Sequence, residues 1–139
     1  MIRNLFFVQS ALEAIAGVVL VLRPDLLLFN PIAGPDSLAI SKLYGIAAFI
    51  IGSISFLMYK DFAFNTFYRK ITLIFVAFHL LVALHMYSVY QNQLTPHPGA
   101  FGVHIAISVL LLLAYLKEKE RFFENHVNKT NDQSQNIDL

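Results

Sequence analysis

The chain contains no cysteine, which excludes disulfides, thiolate metal sites and cysteine nucleophiles together. Charge is scarce as well. Only 14% of the residues are Asp, Glu, Lys or Arg, against about 25% in an ordinary soluble domain. With 57% hydrophobic residues in 139, too few polar side chains remain to cover a soluble surface. Neither sign of charge is in excess: ten Lys and Arg face nine Asp and Glu, a formal +1, so no nucleic-acid partner is expected. Also missing are a phosphate-binding glycine loop, a His-Glu-x-x-His pair and a nucleophile elbow.

The hydrophobic excess is gathered into four runs, at about residues 5–22, 38–59, 71–90 and 100–116. Each holds roughly 17–22 residues, enough at about 1.5 Å per residue to cross a hydrocarbon core of about 30 Å. An open strand would leave its backbone groups unpaired in lipid, so the runs are predicted to be helices. The expected fold is an all-α polytopic transmembrane four-helix bundle over residues 1–126, followed by a polar, disordered tail over 127–139. A cleaved signal peptide is the competing reading of the first run, but Gln9 and Glu13 would interrupt its apolar region.

Orientation follows from the basic residues. Arg3, Lys60, Arg69, Lys70, Lys117, Lys119, Arg121 and Lys129 fall on one side, and only Arg23 and Lys42 on the other. Both termini are therefore expected in the cytoplasm, with the protein in the inner membrane of a bacterial cell. Between the first two runs, Asp25 to Phe29 reads as one turn lying on the outer interface or as a packed loop. Thr95 to Gly99 reads as the turn before the fourth run. Glu118, Glu120 and Glu124 alternate with Lys and Arg and read as a solvated face.

On the second run, Ser41, Gly45, Ala48, Gly52 and Ser55 recur every three or four residues, a face of small side chains that lets another helix come close. Ser10, Ala14 and Gly17 offer matching intervals on the first. Helix packing is the reading of this stripe, with a ligand groove or a homodimer seam as alternatives.

Glu13 lies about halfway along the first run. An acidic side chain there costs roughly 2.5–3.5 kcal/mol on insertion scales and should face the bundle interior. Gln9, Glu13 and Gly17 form one stripe, four residues apart. His79 lies at a similar depth in the third run, so Glu13 and His79 are expected to pair. Such a couple serves either a proton relay or a hydrogen bond that only holds the bundle together. Nearer the outer face, His85 and His104 are expected to share a level, where two imidazoles could ligate haem or a metal ion. No acidic residue is evident at that level, and polar lining is the competing reading. No metal site and no cofactor is expected on balance, with haem or quinone near His85 and His104 as the alternative. His97 and His126 read as solvated residues.

The stretch Glu13-Ala14-Ile15-Ala16-Gly17, with the Val-Leu-Val-Leu that follows, resembles a glutamate-to-glycine step of the DoxX-like family of small bacterial four-helix membrane proteins. Tyr44-Gly45 followed by Gly52 is similar to other uncharacterised bacterial four-span families. The resemblance spans most of residues 5 to 116. In many DoxX-like proteins the step belongs to a later helix, whereas here it is on the first. The resemblance implies a four-helix architecture and carries no catalytic residue. The leading expectation is a non-enzymatic membrane subunit or small oligomer, in contact with lipid and with its own copies or another membrane protein. Proton-coupled transport of a small solute through Glu13 and His79 is the second, and a quinone- or haem-linked redox protein the third.

Overall fold

The computed structural model describes the backbone of residues 1–26, 35–95 and 98–135. It contains four helices: α1, Ile2–Leu22; α2, Pro35–Lys60; α3, Thr66–Gln91; and α4, Gly99–Gln135. A single 3-10 turn, Pro24–Leu26, follows α1. No strand occurs among the described residues, and all four helices contain a stretch long and apolar enough to cross a membrane. The protein is a multi-pass membrane protein with an all-α bundle, as its four apolar runs imply.

Local chemistry sets most of the helix ends. Arg23 stops α1 because the residue before a proline is steered out of helical conformation; the Arg23 side chain then pairs with Asp25 at 2.8 Å. Pro35 opens α2 at the position where a missing N–H costs nothing, with Asp36 in the first turn. Asn65 caps α3, its side chain accepting from the Tyr68 backbone N–H at 3.0 Å. At the other end of α3, the N–H of Gln93 bonds the carbonyl of Tyr90 and that of Leu94 bonds Val89. This is the glycine-type helix stop, built here with Gln93 at φ 58°. After Gly102 no glycine or proline interrupts the sequence. Helix α4 accordingly runs on past Phe123, and the backbone of 127–135, expected to be disordered, is helical. Residues 27–29 of the expected interfacial turn, His97 of the second outer turn, and 136–139 of the tail lie outside the described residues, as does the side chain of His126.

Two helical hairpins make the bundle. Helix α1 packs along α2 and α3 along α4, and α1 also meets α4. The first hairpin closes on glycine. A side-chain carbon added at Gly45 would stand 2.8 Å from the Gly17 carbonyl oxygen, and one added at Gly52 would stand 2.9 Å from the Ala14 backbone nitrogen. The small stripe of α2 is its inward face: Gly45, Gly52 and Ser55 are buried and Ser41 and Ala48 half-buried.

The end of the bundle nearest the chain start is sealed by aromatic rings. Phe6 meets Phe62 and Phe75, and Phe62 stands edge-on to Phe64, Tyr68 and Phe122. Glu118 turns inward there rather than joining a solvated face. It accepts from the Met1 ammonium at 2.7 Å and from the Ile2 N–H at 3.3 Å, which satisfies donors that a helix start leaves free. The large apolar residues that remain exposed, such as Ile15, Leu43, Leu81 and Leu113, form the outer surface that lipid covers.

Candidate functional site

Above the aromatic seal, three helices bring ionisable side chains to one point. Glu13 projects from α1, His79 from α3 and His104 from α4. Nδ1 of His79 lies 3.7 Å from Oε1 of Glu13, and Nδ1 of His104 lies 3.9 Å from the same oxygen. The two imidazoles share a hydrogen bond between their Nδ1 atoms at 2.8 Å. His79 is wholly buried and Glu13 is 5% exposed, whereas the His104 side chain keeps 17% of its surface open. Gln9, one turn before Glu13 on the same face of α1, is 1% exposed.

Packing behind the site explains why Glu13 points inward. Gly52 of α2 lies against the Ser10 carbonyl, the Ala14 nitrogen and Cβ of Glu13. That contact presses one side of α1 against α2 and leaves Glu13 facing the second hairpin. On that hairpin, Ser108 Oγ donates to the Val76 carbonyl at 3.0 Å, one turn from the paired histidines. Thr72 Oγ1 donates to the Tyr68 carbonyl within its own helix.

The arrangement is poor in hydrogen bonds. Among the described residues, the buried side-chain atoms with no hydrogen-bond partner are Oε1 of Glu13, Nε2 of His79 and both amide atoms of Gln9. All four belong to this site. Buried polar groups are nearly always satisfied in native proteins, and exceptions concentrate where a ligand or a chemical role accounts for them. The only ion-pair partners of Glu13 among the described residues are the two imidazoles.

The Glu13–His79 pair expected from depth is thus present, with a third member that depth did not predict. His104 joins His79 rather than His85. Helix α3 overshoots the start of α4, and the chain turns back at Gln93, so Thr95 is buried again. Helix α4 therefore starts lower than equal helix ends would place it. Tyr87 faces Phe101, and Ser108 faces Val76. The acidic residue thought to be missing from His104's level is Glu13. His85 lies elsewhere, on an exposed face, where its Nε2 meets the Tyr44 hydroxyl at 2.8 Å. Tyr44 carried no sign of that contact in the sequence.

Comparison with protein-family models, with curated proteins and with solved structures gave no match to this chain. The site therefore carries the functional argument alone.

Proposed function

We propose that this protein is a small multi-pass membrane protein that binds a cation at the Glu13–His79–His104 centre, between its two helical hairpins. The observation that carries this reading is the unpartnered carboxylate oxygen of Glu13, buried opposite two imidazole nitrogens. A polar clamp that only fastened helices together would use its hydrogen-bonding groups, and each one left unmade inside a bundle costs roughly 1–3 kcal/mol. The Glu13 carboxyl and the two imidazoles bring oxygen and nitrogen donor atoms together, and no Lys or Arg stands against them among the described residues. The natural guest of such a centre is positive. Because Glu13 comes from one hairpin and both histidines from the other, a bound cation would bridge the two hairpins.

The same proposal includes the orientation, with both termini in the cytoplasm and the protein in the inner membrane of a bacterium. It is supported by the distribution of basic residues. Relationship to the DoxX-like family also belongs to the proposal, carried by the Glu13 to Gly17 step, whose glycine packs against Gly45 and Phe49.

The experiment is a stability comparison in cation-free detergent. Replacing Glu13, His79 and His104 together by leucine removes the unsatisfied groups and keeps similar volume. Exchanging buried ionic clusters for apolar side chains is commonly neutral or stabilising by about 1–4 kcal/mol. The triple variant is expected to unfold at or above the wild-type midpoint. A clear loss of stability would make the cluster a structural clamp and overturn the cation reading.

A further inference from the structure

We propose that Glu13, His79 and His104 form a binding site for one divalent transition-metal ion of the zinc, cobalt or iron(II) type. This inference rests on the cation reading above and names the cation. The donor set decides the class first. Two imidazole nitrogens with one carboxylate oxygen suit borderline first-row metals. Calcium and magnesium instead need shells made almost wholly of oxygen.

Geometry decides the fit. Three donor atoms, one from each side chain, lie within 4.8 Å of one another. The triangle with sides of 2.8, 3.7 and 3.9 Å has a point equidistant from its corners at about 2.0 Å, the length of a zinc–nitrogen or zinc–oxygen bond. An ion placed at that point is within bonding distance of all three atoms, and to ligate it each imidazole turns its Nδ1 from the other ring toward the ion. For both Nδ1 atoms to ligate the ion, the hydrogen of their shared bond moves to Nε2 of its own ring, which leaves that imidazole neutral, while Glu13 ligates as the carboxylate and any proton it carried goes to solvent.

Independent features of the structure agree. Oε1 of Glu13 has no hydrogen bond, and an ion at the equidistant point takes that oxygen as a ligand. Three protein ligands leave a fourth position open, as in sites that exchange a ligand rather than sealed structural ones. His104 keeps 17% of its side chain exposed, so the third ligand is the least enclosed of the three. Gln9 stands one turn from Glu13 with both amide atoms unpartnered, a polar neighbour for whatever occupies the fourth position.

The test uses the full chain, purified in detergent, stripped of metal and titrated with Co2+ while visible absorption is recorded. One Co2+ per chain is expected, with absorption bands that Zn2+ displaces and that excess Mg2+ or Ca2+ leaves in place. Glu13→Gln and His104→Asn should each weaken binding by on the order of 100-fold, while His85→Ala, His97→Ala and His126→Ala leave it unchanged. The ligand variants fold by the same unfolding assay, or else the wild type answers alone: Zn2+ should shift the side-chain 15N resonances of His79 and His104 and not those of the other histidines. Absence of stoichiometric binding overturns the proposal, as does binding that persists in His104→Asn or a 15N shift at His97 or His126 instead. If metal fails to bind while the triple leucine variant stays stable, the metal falls and the cation site stands. Loss of stability in that variant removes the broader reading itself.

Discussion

Gly45→Ala isolates the contact that holds the first hairpin together. Its new methyl carbon would lie 2.8 Å from the Gly17 carbonyl oxygen and 2.9 Å from both Leu20 Cβ and Val21 Cγ2, where ordinary contacts begin at 3.4 Å. The oxygen belongs to the backbone and cannot swing away, so α1 and α2 must part by roughly half an ångström along their length. Overpacking of this kind costs about 1–3 kcal/mol, from which the helix preference of alanine over glycine returns up to about 1. The expected net loss is about 1–2 kcal/mol. Gly102→Ala is the matched control, because nothing lies within 4 Å of the position; only the helix preference applies there, and stability should rise by up to about 1 kcal/mol. Reversible unfolding in mixed micelles measures both variants. Gly17→Ala combined with Gly45→Ala should cost less than the sum of the two, since both methyls open the same gap. Equal stability of Gly45→Ala and Gly102→Ala would refute the close approach of α1 and α2.

Gln93→Gly should stabilise the bundle by about 1 kcal/mol, because Gln93 sits at φ 58°, a left-handed conformation that costs a side chain roughly 1–2 kcal/mol; a loss in the same unfolding assay would mean the α3 stop is built differently. For orientation, reporter fusions after Leu116 and within 91–99 should lie in opposite compartments, the first cytoplasmic. An extracytoplasmic signal from the first fusion would contradict the proposed topology.

Most of the fold could be read from the chain because lipid enforces it. Four apolar runs without internal breaks have no conformation but helix in a membrane, and small residues at helical spacing mark a close contact whichever partner they meet. The pairing of Glu13 with His79 was legible for a similar reason, since both lie about midway along their helices. Placing His104 required knowing how the chain turns between α3 and α4. Glycine or asparagine usually marks a left-handed helix stop; here Gln93 occupies that position and gives no such sign, so the reversal at the end of α3 is not legible in the sequence and His104 reads as opposite His85. Length showed the same limit at the C-terminal end. Helix α4 continues through polar residues that composition alone reads as unstructured, because nothing in 103–135 stops a helix once begun. Glu118 looked solvated among its Lys and Arg neighbours, and its inward turn depends on the start of α1, which no local pattern reveals.

The central claim is that one carboxylate and two imidazoles from three helices meet at a single point. It is tested most directly by carbon–nitrogen distance measurement in bilayers, using solid-state magnetic resonance between the Glu13 side-chain carboxyl and the Nδ1 atoms of His79 and His104. The account predicts coupling to both, consistent with an oxygen 3.7 Å from one ring and 3.9 Å from the other. Coupling to His79 alone would reduce the centre to a pair, and coupling to neither would contradict it.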